Sequence, residues 1–189
     1  GGMVTVRRLT AAMLSQLTPI SGDALIGEEV LLRVGRSGFS LAYAPMERAE
    51  WRVFPAEAGF DPAALCTQEA AAYYAAFVDG RFAGGAGIRC EGGWARLGDI
   101  RVAAGQRRQG VASALLDACE RFTRDRGCYG LRVETSDQNP LLCQFLEHRG
   151  YALAGMDRLR LAASPQERRK PLMKRACALY FYRTLEGRR

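Results

Sequence analysis

Hydrophobic and polar residues alternate with a period of two over most of the first half of the chain, which is typical of strands with one buried face. Segments containing glycine, proline or aspartate separate these stretches and predict turns. In chain order, the pattern predicts a strand at residues 3–9, a short helix at 11–17 that Thr10 can cap, a hairpin of strands 30–34 and 39–43, an extended piece at 51–54, and strands at 71–78, 81–90 and 94–102.

The clearest turn signal in this half is Asp79 followed by Gly80. Both residue types tolerate the positive φ that a tight hairpin turn requires. A second hairpin turn is predicted at residues 91–93. The alanine-rich segment 70–78 is also compatible with a helix, but the adjoining Asp-Gly turn favours a strand.

From residue 111 onward, the period changes to 3.6. Residues 111–126 place apolar and charged side chains on opposite faces of a predicted helix, which Gly127 ends. The pattern then predicts a buried strand at 129–134, a helix at 140–149 with Pro140 in its first turn, a polar stretch at 164–174, and closing strands at 151–161 and 176–185. This order of strands and helices indicates a mixed fold of the α/β (α+β) class.

Composition is ordinary for a globular protein, with 48% hydrophobic and 25% charged residues among 189. We expect one domain over residues 1–189. The longest nearly apolar run, residues 70–78, is far shorter than the roughly 18–20 residues of a membrane helix. Gly1 and Gly2 precede Met3 and resemble an expression scar, and no secretory signal follows. We therefore expect a cytoplasmic protein without a membrane partner.

The cysteines and the single histidine restrict the chemistry that is available. The six cysteines are scattered without a Cys-x-x-Cys pair, so we expect reduced packing residues and no metal site. A nucleophilic triad would need His148, the only histidine. His148 lies between Glu147 and Arg149, where a solvated helix face is the favoured interpretation.

The net charge of +7 raises the question of a nucleic-acid partner. The basic residues are spread along the chain, and only residues 168–175 form a local cluster. A solvated loop or helix end is the favoured interpretation of that cluster. We therefore expect no nucleic-acid partner.

The most informative segment is residues 107–112, Arg-Arg-Gln-Gly-Val-Ala, between a predicted strand and a predicted helix. A glycine-containing loop that enters a helix leaves several backbone N–H groups pointing one way. The helix dipole adds roughly half a positive charge there. The segment is therefore a candidate diphosphate site, with a basic turn capped by glycine as the alternative.

These residues resemble the GNAT superfamily of acyl-CoA-dependent N-acyltransferases. The superfamily signature Arg/Gln-x-x-Gly-x-Gly/Ala is matched by Arg107-x-x-Gly110-x-Ala112. Segments 134–139 and 145–151 follow at family-like spacing. The resemblance is closer to the streptothricin acetyltransferases, over segments 98–102, 134–139, 155–157 and 177–182 and at Cys143. It implies a central mixed, mostly antiparallel sheet that is splayed at the cofactor site, with helices on both faces.

The resemblance also implies acetyl-CoA as the cofactor and identifies residues that bind it. The loop and helix start would hold the diphosphate, the middle of the preceding strand would pair with the pantetheine arm, and an asparagine would hydrogen-bond the arm. The residues implied are Ile100, Arg101, Val102, Arg107, Arg108, Gln109, Gly110, Val111, Ala112, Ser113 and Asn139. Asn139 is also suited to cap the following helix as an ordinary loop residue.

By the same resemblance, an amine attacks the thioester carbonyl directly while a backbone N–H near Val102 holds the oxyanion. A carboxylate near the splayed strands would accept the amine proton. Asp99 is the first candidate for this catalytic role and Glu134 the second. The alternatives are that Asp99 pairs with an arginine and that Glu134 is simply solvated at the end of a strand.

Two positions depart from the family pattern. Related enzymes commonly have a tyrosine where this chain has Leu146, and that tyrosine protonates the leaving thiolate. They often have a glutamate where this chain has Gly98. Three tyrosines are candidate substitutes for the missing acid: Tyr129, Tyr180 and Tyr182.

Our leading hypothesis is an N-acetyltransferase that acts on a primary amine of a small molecule, with a streptothricin-like antibiotic as one candidate acceptor. The alternatives are acetylation of a protein amino group and a catalytically weak acyl-CoA-binding regulatory module. A homodimer is compatible with each hypothesis.

Overall fold

The computed structural model describes residues 2–162 and 164–185, so Gly1 of the expected expression scar lies outside the described residues. The strands are β1 Val4–Arg8, β2 Asp23–Gly35, β3 Gly38–Val53, β4 Ala71–Val78, β5 Arg81–Glu91, β6 Trp94–Val102, β7 Gly130–Ser136, β8 Ala152–Asp157 and β9 Ala178–Thr184. The helices are α1 Pro62–Leu65, α2 Val111–Asp125, α3 Pro140–His148 and α4 Pro165–Arg169, and 3₁₀ turns span Ala11–Gln16, Ala104–Gln106 and Leu172–Lys174. Every strand predicted from the pattern is present.

Several predictions differ from the structure in detail. The predicted hairpin around residues 35–38 is confirmed. Strand β3 continues to Val53, so most of the extended piece predicted at residues 51–54 is part of β3. Thr10 makes no side-chain capping hydrogen bond among the described residues, and the segment after it is a 3₁₀ turn. Helix α1 was not predicted, because Pro62, which lies in its first turn, indicates a break in the hydrophobic pattern of the sequence. Asp61 caps this helix through the N–H of Ala64.

The strand predicted over residues 151–161 ends early, at Asp157. The Asp157 carboxylate accepts hydrogen bonds from the N–H groups of Leu159 and Arg160, at 2.8 and 3.0 Å. These local bonds turn the chain and replace the ladder bonds of a longer strand.

The described chain forms two compact units, and the expectation of a single domain stays a prediction. The first unit contains residues 2–23, 53–131 and 184–185. Its strands lie in the order β1-β4-β5-β6, and the three pairs are antiparallel. Asp79 and Gly80 both have positive φ, which confirms the predicted tight turn between β4 and β5.

Glycines in β5 allow other elements to pack closely on both faces of this sheet. A Cβ at Gly84 would lie 2.9 Å from a Val111 side-chain carbon of α2. A Cβ at Gly87, on the opposite face, would lie 2.6 Å from a Leu65 side-chain carbon of α1. The prediction of helices on both faces is therefore confirmed for this unit.

Gly98 is the extra residue of a β-bulge in β6. Gly87 pairs with Asp99 and Ile88 pairs with Leu97, so Gly98 has no partner in the β5 register. The ring of Phe60 covers it: a Cβ at Gly98 would lie 2.1 Å from two ring carbons. Phe60 is buried, and the guanidinium groups of Arg89 and Arg96 lie over its ring. The glycine is therefore required by the packing of an aromatic ring.

The second unit contains residues 24–52 and 132–183. It includes the β2-β3 hairpin and the strand order β7-β9-β8. Strands β8 and β9 are antiparallel, with Gly155 opposite Tyr180. Along β9, Leu179 and Phe181 are buried while Tyr180 and Tyr182 are half-buried on the other face. The two tyrosines thus share the face that the alternation predicts.

We expect Gly98→Ala to destabilise the protein by about 2 kcal/mol, because the new methyl group collides with the Phe60 ring. For a chain of this size the melting temperature should fall by about 4–8 °C in thermal unfolding followed by circular dichroism. Gly93→Ala is the matched control, since a Cβ there meets no atom of the described residues within 4 Å. Equal stability of the two variants would contradict the role given to Phe60.

Candidate functional site

The loop between β6 and α2 has an unusual backbone conformation. Arg108 has φ of 65° and Gly110 has φ of 79°, both in the left-handed region. Such a conformation is uncommon for a residue other than glycine. Gly110 is the N-cap of α2 and supplies no side chain, and among the described residues the first turn contains no acidic group. The start of α2 therefore presents backbone N–H groups and a positive dipole end that an anion can bind.

The space around this loop is open. A Cβ at Gly110 would meet no atom of the described residues within 4 Å, so glycine is required there by φ and not by protein packing. Gln106 and Gln109 hydrogen-bond each other at 2.9 Å and line an open groove of about 450 Å³ together with Arg81. Arg107 donates to the carbonyl of Asp23 at 2.7 Å, which fixes the side chain to the backbone of the first residue of β2. Arg108 is exposed.

The backbone of β6 has one side directed away from β5. The Ala103 N–H donates to the Ala83 carbonyl at 2.8 Å, and Arg101 lies opposite Gly85. In an antiparallel strand the N–H and C=O groups of successive residues point to opposite sides. Ile100 and Val102 therefore direct their N–H and C=O groups away from β5, as pairing with an extended ligand requires.

Asp99 forms an ion pair within the first unit. The Nε of Arg101 donates to both carboxylate oxygens, at 2.9 and 3.0 Å, and an Nη of Arg101 donates to the Phe54 carbonyl at 2.6 Å. Both side chains are largely buried, with 13% of Asp99 and 17% of Arg101 exposed. Burial raises the pKa of Asp99 above its usual range, and Arg101 acts in the opposite direction. Burial, and secondarily the Asp99 charge, raise the pKa of Tyr73 to about 12.

Glu134, the second predicted carboxylate, lies in the second unit on β7. Its Oε1 accepts from the Nε of Arg160 at 3.2 Å, with 14% of the Glu134 side chain and 53% of the Arg160 side chain exposed. The Arg160 guanidinium also lies close enough to the Tyr180 hydroxyl for its charge to act on that group. Burial, and then the Glu134 charge, raise the pKa of Tyr180 above its ordinary value. Arg132 lies over the Tyr180 ring, with its guanidinium carbon 5.4 Å from the centroid.

Asn139 and Leu146 belong to α3 in the second unit. The side-chain oxygen of Asn139 accepts from the Leu142 N–H at 3.1 Å, which is the capping role given above as the alternative. Its amide group retains two donors for other partners. Leu146 is fully buried in the core, so this position supplies no polar group. On the same helix, Glu147 accepts a hydrogen bond from the Tyr43 hydroxyl.

The structure thus brings the predicted residues from Asp99 to Ser113 together in the first unit, while Glu134 and Asn139 lie in the second. Sequence patterns missed Phe60 and Arg160. Phe60 precedes helix α1, which was not predicted because of Pro62. Arg160 lies in a segment that was predicted to be a strand. Asp157, a residue type that favours turns, is the sequence signal that could have shown that the strand ends before Arg160.

The part of the chain that the structure describes contains no group of three or more potential metal ligands, and none of its helices is long and apolar enough to cross a membrane. The six cysteines are free. Two of them, Cys90 and Cys128, place their sulfur atoms 3.2 Å apart.

Comparison with known sequences agrees with the resemblance. The model of the acetyltransferase (GNAT) family matches residues 41–151. A streptothricin acetyltransferase of Streptomyces lavendulae is 30% identical over 125 residues, covering 64% of this chain and 66% of the relative. One of Escherichia coli is 28% identical over 119 residues, covering 61% and 64%. The matched region therefore spans slightly less than two thirds of each relative.

Two solved structures are similar over nearly the whole chain. One is a candidate streptothricin acetyltransferase of Bacillus anthracis in complex with acetyl coenzyme A, with a TM-score of 0.81, 17% identity, and coverage of 96% of this chain and 97% of that one. The other is nourseothricin acetyltransferase, with a TM-score of 0.75, 20% identity, and coverage of 96% and 98%. At these identities the likeness shows the fold alone. Because the family model matches more than half of the residues, the chain belongs to the acetyltransferase (GNAT) family and has its fold, a mixed and mostly antiparallel sheet with helices.

Proposed function

We propose that this protein transfers the acetyl group of acetyl-CoA to a primary amine of a small cationic molecule, with a streptothricin-like antibiotic as the first candidate. The observation that carries this proposal is the loop before α2. Its two left-handed residues, Arg108 and Gly110, lead into a helix start with no side-chain cap among the described residues. This is the environment that a diphosphate requires.

The residues present fit coenzyme A. N–H groups of Gln109, Val111, Ala112 and Ser113 are suited to hold the diphosphate, and the open space at Gly110 leaves room for close approach of its oxygens. The outward N–H and C=O groups of Ile100 and Val102 are suited to pair with the amide groups of an extended arm. The cofactor supplies the reactive thioester.

The Val102 N–H is our candidate donor to the carbonyl oxygen under attack. Its direction away from β5 follows from the β5-β6 register. A donor fixed in a strand stabilises developing negative charge without reorganisation. We therefore assign oxyanion stabilisation to this backbone group.

Of the two candidate carboxylates, we favour Glu134 for accepting the amine proton. Asp99 is bound by Arg101, which is itself buried and anchored to the Phe54 carbonyl. The partner of Glu134 is the more exposed Arg160, which can move into solvent at lower cost. We infer that Asp99 positions Arg101 in the first unit, and that Glu134 draws in the amine and accepts its proton.

Tyr180 is our candidate for protonating the leaving thiolate in place of a tyrosine at position 146. Its hydroxyl lies next to Glu134 and Arg160. Because burial raises its pKa above the ordinary value, the group is protonated at neutral pH and available as a donor. Leu146 is fully buried and cannot serve.

The relatives favour an antibiotic as the acceptor. The two curated relatives are named streptothricin acetyltransferase, at 30% and 28% identity. A carboxylate beside a phenol suits a cationic amine, and Glu134 with Tyr180 provides this pair.

The first test is thiol release from acetyl-CoA, followed with a chromogenic disulfide reagent. The amine panel contains streptothricin, aminoglycosides, polyamines and peptides. We expect turnover with streptothricin or another small cationic amine. Turnover with peptides alone would replace the proposal with protein acetylation. Binding of CoA without turnover on any amine would indicate a regulatory module, and absence of CoA binding would overturn the donor assignment.

The second test concerns the diphosphate site. We expect Gly110→Glu to weaken CoA binding by about a hundredfold or more in isothermal titration calorimetry, because it places negative charge where the diphosphate would bind. Gly92→Glu is the matched control, since Gly92 also has positive φ and open surroundings among the described residues. Both variants lose similar stability from backbone strain. Unchanged CoA affinity in the Gly110 variant would contradict the placement of the site.

The third test separates the two carboxylates. We expect Glu134→Gln to lower kcat/KM by about a hundredfold, the usual size for loss of a general base, with CoA affinity unchanged. Asp99→Asn should lower kcat/KM by less than about tenfold while reducing thermal stability, because Arg101 then lacks its buried partner. The reverse order of the two effects on turnover would return Asp99 to the catalytic role.

A further inference from the structure

The Arg160 guanidinium lies at the carboxylate to which the proposed function assigns the amine. Its Nε lies 3.2 Å from a Glu134 carboxylate oxygen, and the group is also close to the Tyr180 hydroxyl. The Asp157 turn holds the Arg160 backbone in place. All of these residues belong to the second unit.

The two ends of this contact differ in exposure. Only 14% of the Glu134 side chain is exposed, whereas 53% of the Arg160 side chain is. On the other side, Arg132 lies over the Tyr180 ring and keeps a second cation within the same cluster. Glu134 and Tyr180 are therefore held by the sheet, while Arg160 is the exposed and exchangeable member.

We propose that Arg160 is an acceptor-selecting residue, whose guanidinium stands in for the ammonium group of the acceptor at Glu134 and Tyr180 and must be displaced when the acceptor binds. The inference rests on the proposed acetyl transfer to a cationic amine. Competition by an internal cation weakens the binding of every acceptor. Only acceptors whose other contacts offset the free energy of displacing Arg160 then bind well, and a polycationic antibiotic can make such contacts.

The physical basis is that the Arg160 end of the ion pair is more than half exposed, so its guanidinium returns to water at low cost. The Glu134 end is largely buried and needs a cation beside it. The incoming ammonium group takes the place of the guanidinium at the Glu134 carboxylate and beside Tyr180. The cluster has the same net charge in the free and bound states, so binding exchanges one cation for another and leaves no uncompensated buried charge in either state.

The test compares Arg160→Gln with wild type, using streptothricin as the probe. We expect the dissociation constant of streptothricin, measured by calorimetry, and its KM to fall by about three- to fivefold, the range of an exposed ion pair. The kcat and the KM for acetyl-CoA should stay within about twofold. Arg160→Lys keeps the charge but loses the planar fork, so it should stay close to wild type in streptothricin affinity.

Arg169→Gln controls for the general loss of one positive charge, because Arg169 is an exposed residue at the end of α4. It should leave the affinity for streptothricin unchanged. Arg160→Gln placed on Glu134→Gln should produce no further gain in affinity, because the competition needs the Glu134 carboxylate. A structural role of Arg160 would not give this non-additivity.

Unchanged or weaker streptothricin binding in Arg160→Gln overturns the inference, as does an equal gain in Arg169→Gln. Absence of streptothricin binding in both wild type and Arg160→Gln also overturns it. The calorimetric arm does not depend on turnover. Failure of thiol release in the wild type would therefore refute the proposed function separately from the competition at Glu134.

Discussion

The proposed acetyl-CoA site depends on one constraint, the backbone turn that leads from β6 into α2. β6 is held by the β5 register, and α2 packs across β4, β5 and β6. The chain must connect these two fixed elements within a few residues, and it does so with left-handed conformations at Arg108 and Gly110. These left-handed conformations cost free energy, and the packing of β6 and α2 on either side of the loop holds the backbone in them. The result is a helix start with open space beside Gly110 among the described residues.

The close approach of α2 depends in turn on the glycines of β5. A side chain at Gly84 would collide with Val111, the first residue of α2. On the other face, Gly87 and Gly98 admit Leu65 and Phe60. The sheet of the first unit is therefore covered on both faces at short distance, and the position of the loop that we propose to bind the diphosphate follows from this packing. Gly98 has a structural explanation that is independent of any lost carboxylate.

Charge pairing distinguishes two carboxylates that look equivalent in the sequence. Asp99 is paired with a buried arginine that is itself anchored to a backbone carbonyl. Glu134 is paired with an arginine whose side chain is more than half exposed. Since the free energy needed to separate an ion pair rises with burial, the two carboxylates differ in their availability to a ligand. Exposure and anchoring of the partner, and not residue type, decide between them.

The sequence by itself determined the order of the strands and of helices α2 and α3, because periodicity, Asp79-Gly80 and the glycines that end these helices act locally. It also determined the family, through Arg107, Gly110 and Ala112 and the segments that follow at family-like spacing. Tertiary structure alone decided the anchored ion pair of Asp99, the contact of Arg160 with Glu134 and the ring that covers Gly98. Asp99 and Arg101 are close in sequence, but the Phe54 carbonyl that anchors Arg101 is distant from both in sequence. Contacts between distant residues depend on how strands and turns pack in three dimensions, and one sequence contains no local signal for that packing.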